Sequence, residues 1–518
     1  MMKCDESLTG GSDESVCAPS YLKRNPDTGR LYIDIFDPSV FDSAEFVEGG
    51  ENADNNQPPQ PDHELFVDIK AGLMTLSHKG GESFQSPLSL QTIHALYHRD
   101  DKEMFSNGLN LRISRKDITH PLGFEALLQV IMINAIFCVY PRVCSWSPWT
   151  SRLHSLHIDA ETNFIRNAAY INRLNHVFTL SNRFAGQPIL LALPGPSLDI
   201  DYIRKHRSAF TVVAAGRACQ RLIEAEVYPD VAYIQDVNTP AWEKSFGSLG
   251  DKKIPTILIA NPLGRIWKYH DNFQRVFKGW NLYPFERDVF PKIEEIAPST
   301  TSGAYSLVRL LGGNPIVIAG NDCGDNVSSL EGVGVPESMT SLPYAVEGDH
   351  LIFSPVEQDQ NMYLGFGDEF SVQTQNGYIA GAQWLKNRVM QDATEHGVDV
   401  YDFSHTRLCQ FNTNIRDGVD FRPGYPVGAP ALPAYTTNYD MVKYLRQKKS
   451  SYGFILRQLE KGIMPKAATR YPHTCVLTGT LIEQGNNVKT VPEDVLVAKE
   501  NAESLIGHID MALEQLGE

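Results

Sequence analysis

Short runs of apolar residues alternate with segments of helical spacing across the middle of the chain. Each run is apolar at nearly every position, which is typical of a strand buried on both faces of a parallel sheet. The runs lie at 189–193, 210–214, 231–235, 255–260, 315–319 and 398–402, with helical segments at 217–227, 301–312 and 376–396 among those that separate them. This alternation predicts an α/β fold whose central domain is a doubly wound, mostly parallel, Rossmann-like sheet.

The pattern changes on both sides of this region, which predicts four parts in the chain. A mixed α+β N-terminal domain is predicted from strand-like pieces at 65–69 and 109–113 and an apolar helix at 124–140. A Pro/Gly-rich linker leads to helices at 439–459 and 492–516, which we interpret as a helical cap or an oligomerisation element. The predicted parts are 1–65 (acidic, partly disordered), 66–185 (mixed α+β), 186–422 (Rossmann-like) and 423–518 (linker and helices).

The net charge and the cysteine content limit the classes of function that we expect for the chain. The net charge is −16, and residues 1–65 contribute 14 acidic and 4 basic side chains, so the remaining chain is nearly balanced. A body without a basic cluster argues against nucleic acid as the main partner. The eight cysteines are scattered without a Cys-x-x-Cys pair, which is typical of a reduced chain. With no secretory signal, and with Glu125, Gln129 and Asn134 inside the most apolar segment, we expect a cytoplasmic protein without stable membrane insertion.

The segment 188–199, Pro-Ile-Leu-Leu-Ala-Leu-Pro-Gly-Pro-Ser-Leu-Asp, is the first candidate for ligand binding. Its apolar run is stopped by Pro-Gly-Pro, and Ser197 stands where it could cap a helix. A strand, a tight loop and a helix start would leave unpaired amides that suit a phosphate. The alternative is an ordinary strand-to-helix turn.

Small and polar residues also follow the other predicted strands. In a doubly wound sheet ligands bind outside the carboxyl ends of the strands, so these residues predict a crevice for a polar ligand. A second helix start, Ser-Thr-Thr-Ser-Gly at 299–303, offers hydroxyls and amides to phosphate or carboxylate oxygens. The candidates for binding are Gly195, Pro196, Ser197, Gly216, Asp236, Thr301, Ser302, Gly303, Asn321 and Asp322.

Several familiar motifs are missing. The chain has no Gly-x-Gly-x-x-Gly after the first strand and no Gly-Lys-Ser/Thr, which disfavours a dinucleotide site and a P-loop. It has no Gly-x-Ser-x-Gly elbow of a serine hydrolase. Asp199 and Asp201 fit a helix cap and its dipole better than a metal site.

Three blocks resemble the Maf (motility-associated factor) glycosyltransferases, also described as MptE-like. They are Leu-Pro-Gly-Pro-Ser-Leu-Asp (193–199), Val-Tyr-Pro-Asp-Val-Ala-Tyr-Ile-Gln-Asp (227–236), and residues 301–322, which begin Thr-Ser-Gly-Ala-Tyr-Ser and end Ala-Gly-Asn-Asp. The first and third are also similar to bacterial CMP-sialic acid-dependent sialyltransferases, in which a Gly-Pro-Ser loop and a Thr-Ser-Gly helix start hold the nucleotide.

The resemblance implies an enzyme that moves a nonulosonic sugar from a CMP donor to a protein hydroxyl, usually of flagellin, with inversion. It implies no cofactor beyond the activated donor, although Mg²⁺ is possible. The catalytic candidates are Asp236, Asp322 and His350, of which His350 is implied only by its order in the loop 323–370. Whether the carboxylates act as ribose ligand, base or metal ligand stays open.

Two other functions are compatible with the same residues. One is a pterin pyrophosphokinase-like enzyme, which would bind ATP and need Mg²⁺. The other is a catalytically silent scaffold that binds flagellin or an export protein and binds no nucleotide. The C-terminal helices could also mediate a homo-oligomer.

Overall fold

In the computed structural model, the strands predicted in the middle of the chain pair in parallel. The described residues are 61–96, 105, 107–118, 120–134, 159–171, 174–279, 299–323, 344–354, 376–404, 414–424, 432–433, 439–461 and 492–518, with short strands at 22–24, 31–33, 293–294, 325–326, 340–341, 361–365 and 371–375. Most of the predicted acidic segment 1–65 and of the linker at 423–433 lies outside them.

The strands in chain order are β1 (Leu22–Arg24), β2 (Leu31–Ile33), β3 (His63–Asp68), β4 (Leu73–His78), β5 (Ser83–Pro87), β6 (Leu109–Ser114), β7 (Asn175–His176), β8 (Ile189–Ala192), β9 (Thr211–Ala215), β10 (Val231–Ile234), β11 (Ile254–Ala260), β12 (Phe273–Lys278), β13 (Ile293–Glu294), β14 (Ile316–Ala319), β15 (Asp325–Asn326), β16 (Thr340–Ser341), β17 (Tyr344–Glu347), β18 (His350–Phe353), β19 (Asn361–Gly365), β20 (Ser371–Gln375), β21 (Val400–Asp402) and β22 (Ile415–Asp417).

The helices are α1 (Leu90–Ala95), α2 (Pro121–Ile133), α3 (Ala168–Ile171), α4 (Ile200–Lys205), α5 (Ala218–Glu224), α6 (Thr239–Phe246), α7 (Ile266–Tyr269), α8 (Thr300–Leu311), α9 (Asn376–His396), α10 (Met441–Glu460) and α11 (Pro492–Gln515). Residues 159–166 are also helical. Among the described helices, none is long and apolar enough to cross a membrane.

Nine strands form one sheet in the order β22-β21-β14-β8-β9-β10-β11-β12-β7. Every pair in it is parallel, which confirms the predicted fold class. All six apolar runs are strands of this sheet. From β8 the chain moves in one direction to β12, and from β14 it moves in the other direction to β22. The strand order therefore reverses between β8 and β14.

Helices cover both faces of this sheet. The core on one face combines strand residues with α4, α5 and α6 and with the C-terminal helices α10 and α11. The core on the other face holds α8 and the second half of α9, including Trp384, Leu385 and Val389. The C-terminal helices, which we had interpreted as a cap or oligomerisation element, thus pack into the same core as the sheet.

A second, six-stranded sheet has the order β17-β18-β6-β3-β4-β5. It combines strands from residues 63–114 with the hairpin β17–β18, whose β18 pairs antiparallel with β6. Its core contains α2 together with Ile379, Ala380 and Ala382 of α9. Helix α9 therefore belongs to two hydrophobic cores, one on each of its sides.

A buried ion cluster joins α9 to α2. Glu125 of α2 accepts from Lys386 Nζ at 2.7 Å and lies 2.7 Å from His94 Nε2, and all three side chains are at most 1% exposed. Burial alone would raise the pKa of Glu125, but the charge of Lys386 and the contacts with His94 outweigh it and lower this pKa to about 2. The carboxylate therefore stays ionised because it is paired.

Replacing Glu125 tests this cluster. The substitution Glu125→Gln should lower the free energy of unfolding by about 3–5 kcal/mol at neutral pH, because it leaves the Lys386 charge buried without its partner. Denaturant titration measures the loss. Since the wild-type carboxylate is protonated only as pH falls from 4.5 toward about 2, the difference should shrink in that range.

Glu347 supplies the matched control, because it pairs with Arg112 at 2.7 Å but is 59% exposed. Glu347→Gln should change the free energy of unfolding by only about 0–1 kcal/mol. Equal losses for the two variants would mean that the buried cluster contributes no more than a surface pair.

Candidate functional site

The carboxyl ends of β8 and β14 meet where the strand order reverses, and in such sheets this is the usual place for a ligand. Leu193 donates its N–H to Ala319 O at 2.8 Å, and Gly195 donates to Gly320 O at 2.9 Å. A Cβ at Gly195 would lie 2.2 Å from Asp322 Oδ2 and 2.5 Å from Gly320 O. Only glycine at 195 allows this approach. The structure thus brings together two of the predicted strand ends.

Asp322 is the partner of the loop 194–198. Its carboxyl oxygen Oδ2 accepts from the amide and from the hydroxyl of Ser197, both at 2.9 Å. Asp322 is 2% exposed. The carboxylate therefore lies where an anion bound to this loop would lie.

This pairing corrects the expectation that the loop carries unpaired amides. Pro194 and Pro196 have no N–H, and the three amides of the loop donate to Gly320 O, Asp322 Oδ2 and, for Leu198, to Gly195 O at 3.2 Å. A phosphate could use the Ser197 amide only by displacing Asp322. The loop lies at the carboxyl ends of β8 and β14, with Pro194 and Pro196 exposed.

The prediction that Ser197 caps the following helix is wrong. Asp199 is the N-cap of α4 and accepts from the Tyr202 amide at 2.9 Å. Ser197 lies two residues earlier and is held by Asp322 instead. The predicted role of Asp199 in capping is confirmed.

The N-terminus of α8 has more unpaired donors than the loop 194–198 among the described residues. Ser299 is its N-cap, and its Oγ accepts from the Ser302 amide at 3.2 Å and contacts Ser302 Oγ at 2.9 Å. The amides of Thr300 and Thr301 have no partner among the described residues, as expected for the first helical turn. Both threonines are half-buried, whereas Ser302 is fully buried. Ser302 therefore completes the cap, and Thr300 and Thr301 remain to face a ligand.

Gly303 lets α8 approach the end of β10, and Gly216 lies beside α8 at the end of β9. A Cβ at Gly303 would lie 2.2 Å from Tyr233 Oη and 2.5 Å from Gln235 Oε1, which are 2.9 Å apart. Gly216, with φ of +53°, would place its Cβ 3.8 Å from Thr300. The predicted residues Gly216 and Gly303 thus lie at the junction of α8 with the sheet.

A buried carboxylate fixes α8 against α9. Asp392 of α9 accepts from Tyr305 Oη at 3.1 Å and pairs with Arg309 Nε at 3.0 Å, both on α8. Arg388 lies 3.3 Å from the same carboxylate. At the other end of α8, a Cβ at Gly381 of α9 would lie 3.0 Å from Ser299 Oγ. The position of the α8 N-terminus is therefore set by α9.

Asp236 follows β10 and is half-buried. Burial raises the pKa of its carboxyl group, although the charge of Arg217 acts in the opposite direction. Among the described residues its side chain has no hydrogen-bond partner, and its carbonyl accepts from Trp242 Nε1 at 2.7 Å. This carboxylate is available for chemistry.

Asp402, at the end of β21, was missed by the sequence reasoning. Its Oδ1 accepts from the amide and hydroxyl of Ser404, and the Ser404 hydroxyl accepts from the Asn321 amide at 3.1 Å. Burial, with a smaller contribution from the nearby Asp322 carboxylate, raises the pKa of Asp402 to about 6, although hydrogen bonds with Ser404 and Asn321 act in the other direction. Asp322 and Asp402 thus form a pair of neighbouring carboxylates beside the crevice.

His350 does not occupy the loop in which the sequence placed it. It is the first residue of β18, where it pairs with Ser114 of β6, and its ring lies 5.6 Å from that of Phe66. His350 is therefore part of the six-stranded sheet. Over the described part of the chain, no group of three or more His, Cys, Asp and Glu side chains could hold a metal ion.

One family model matches about a third of the chain. Residues 162–328 match the family model for 6-hydroxymethylpterin diphosphokinase MptE-like proteins. This range contains the three blocks that carry the resemblance and confirms the MptE-like resemblance there. It includes β8, β14, the loop 194–198 and α8. No curated protein matches the chain.

One similar solved structure is the Maf glycosyltransferase from Magnetospirillum magneticum AMB-1. The two chains are 13% identical, with a TM-score of 0.40. The similarity covers 82% of this chain and 65% of that chain. This chain therefore spans somewhat less than two thirds of that protein.

The titration of Asp402 can be tested through stability. Because its folded pKa of about 6 exceeds the ordinary 3.8, the unfolded state releases this proton first as pH rises, and stability falls between those values. Asp402→Asn removes the charge but keeps an acceptor for Ser404. We expect a gain of roughly 1–3 kcal/mol above pH 6 that vanishes below about pH 4, measured by denaturant titration at several pH values.

Asp399, whose carboxylate pairs with Arg416 at 2.9 Å on the surface, is the control. Asp399→Asn should change stability by only about 0–1 kcal/mol, without the gain at high pH. A loss of stability in Asp402→Asn at pH 7 would contradict the raised pKa.

Proposed function

We propose that this chain is a glycosyltransferase that moves a nonulosonic sugar of the sialic, pseudaminic or legionaminic type from a CMP donor to a protein hydroxyl. The proposed acceptor is a serine or threonine such as those of flagellin. The observation that carries the proposal is the α8 N-terminus, where two amides without a partner among the described residues and two threonine hydroxyls lie beside the carboxyl ends of β9 and β10.

The donor supplies the negative groups that such a helix terminus attracts. A CMP-activated nonulosonate carries a phosphate and a carboxylate, and both need close N–H and O–H donors. The first turn of a helix offers its unpaired amides and the positive end of its dipole to an anion. We assign the phosphate to Thr300 and Thr301, and we assign the loop 194–198 and Gly216 to the walls around the nucleoside and sugar.

The leaving group of the reaction is CMP, whose phosphate gains negative charge as the bond to the sugar breaks. Donors placed at that oxygen stabilise the transition state more than the bound donor. The rigid attachment of α8 to α9 through Asp392 keeps those donors in place before the substrate arrives. Such preorganisation is the main contribution that a protein makes to a displacement of this kind.

Asp236 is the group that we assign as general base. An attacking hydroxyl must lose its proton, and a carboxylate with a raised pKa accepts that proton better than an exposed one. Asp236 has the raised pKa and an unpartnered side chain among the described residues. Asp322 is occupied by Ser197, so we assign it to holding the loop, and His350 lies in the six-stranded sheet.

A second function is favoured by the description of the matching family. That description names a pterin diphosphokinase, which implies transfer of a diphosphate from ATP with Mg²⁺. The α8 N-terminus would suit the phosphates of ATP equally well. Nucleotide selectivity therefore separates the two proposals.

Thermal denaturation in the presence of nucleotides tests the donor class. A ligand that binds only the folded state at 100 times its Kd stabilises that state by about 2.7 kcal/mol. We expect CMP to raise the Tm, and CDP, UDP, GDP and ATP, each with and without Mg²⁺, to raise it less. A rise with ATP and Mg²⁺ alone would favour the diphosphokinase. No rise with any nucleotide would favour a scaffold that binds protein only.

Asp236→Asn tests the base. We expect a decrease of kcat by a factor of roughly 10²–10⁴, as for removal of a general base, with little change in the CMP-induced Tm shift. In the wild type, kcat should rise with pH through the raised pKa of Asp236. The control is Asp201→Asn, because that carboxylate is 89% exposed on α4. If Asp236→Asn transferred the sugar at the wild-type rate, Asp236 would not be the general base.

A further inference from the structure

The loop 194–198 has a second anchor on the side opposite to Asp322. Arg221, on α5, donates from Nη1 to Gly195 O at 3.0 Å and from Nη2 to Leu198 O at 3.1 Å. Its side chain is half-buried. One guanidinium therefore holds the first and last residues of the Gly-Pro-Ser-Leu turn.

The two anchors divide the polar groups of the loop between them. The N–H groups of Gly195 and Ser197 donate toward the end of β14, and the carbonyl groups of Gly195 and Leu198 accept from α5. A planar guanidinium presents its donors in a fixed fork, which matches two carbonyl groups at a defined separation. A lysine at 221 could not keep both bonds in the same geometry.

Charge adds to this argument. The Asp322 side chain is buried at the loop, and a negative charge on it would by itself repel an anionic donor. Arg221 places a positive charge on the other side of the same four residues. The loop can then form a wall beside an anionic donor without carrying a net negative charge itself.

We propose that Arg221 is a positioning residue for the donor site, acting through the loop 194–198 by fixing its carbonyl groups and offsetting the charge of Asp322. The proposal rests on the proposed function for its catalytic consequence, but its structural part does not. Arg221 makes no contact with the reacting groups in this assignment. It acts only on the wall against which the donor is held.

The structural part is tested without any donor, by hydrogen–deuterium exchange of the full chain. In Arg221→Met the amides of Ser197 and Leu198 should exchange at least about tenfold faster than in wild type, since loss of the two charge-assisted bonds permits local opening. Helix α8 should exchange as in wild type. Arg221→Gln, which can keep one of the two bonds, should lie between them.

Arg204 provides the control, because it also lies near the loop but pairs with Asp201 and donates to Ala225 O at 3.3 Å. Arg204→Met should leave exchange at 197 and 198 unchanged. Wild-type exchange at these amides in folded Arg221→Met would overturn the proposal, and so would equal acceleration in Arg204→Met.

The catalytic consequence is read from kinetics with the CMP-activated sugar. Arg221→Met should raise KM several-fold with kcat nearly unchanged, because a wall of the donor site acts on bound substrate and transition state alike. Arg221→Gln should recover part of the difference. A fall in kcat at constant KM would overturn the positioning role. If CMP does not bind the wild type, the proposed function fails, while the exchange experiment still decides whether Arg221 positions the loop.

Discussion

The close contact between the ends of β8 and β14 is the constraint on which the site depends. These strands lie side by side, yet the chain reaches β14 only after building the whole half of the sheet from β9 to β12. The hydrogen bond from Gly195 to Gly320 and the contact of Gly195 with Asp322 hold the ends of β8 and β14 together. Gly320, with φ of +76°, would place a Cβ 2.2 Å from Leu193 O, so glycine is required on both sides.

Charges of opposite sign are separated within the crevice. The carboxylates of Asp322 and Asp402 lie at the ends of β14 and β21, whereas the unpartnered amides lie at the start of α8, next to β9 and β10. The phosphate of a ligand is therefore directed toward the start of α8 and not toward these two carboxylates. This arrangement explains why the loop 194–198 forms a wall and why α8 receives the phosphate in the proposed function.

The sequence predicted the parallel sheet because its central strands are apolar at nearly every position. It missed β12, in which Gln274 and Arg275 interrupt the apolar run, and β22, which is only three residues long. It also missed β18, although His350, Leu351, Ile352 and Phe353 alternate between half-buried and buried positions as expected for a strand with one buried face. These four residues lie within the loop predicted at 323–370, where so short an alternation was not recognised as a strand.

The candidate site was less predictable than the fold. Strand ends could be identified from breakers and polar residues, so Gly195, Gly216 and Asp322 were found. The partners of these residues could not be identified from the sequence. Ser197 and Asp322 are 125 positions apart, and nothing in the spacing of the helix that carries Arg221 indicates a contact with the loop. The titration of Asp402 depends on burial and on Asp322, and neither is visible in local sequence.

The place of α9 between two cores has a consequence for the order in which the chain can fold. The six-stranded sheet starts at His63 but takes β18 from residues 350–353, and its core is completed by Ile379 and Ala382. During synthesis, β6 therefore lacks its β18 partner after residue 133 has been made. This edge stays unpaired until more than two hundred further residues have been added. Contacts of such long range slow folding and expose strand edges to wrong partners. The six-stranded sheet can therefore be completed only after β18 and α9 have been made, although four of its strands come early in the chain.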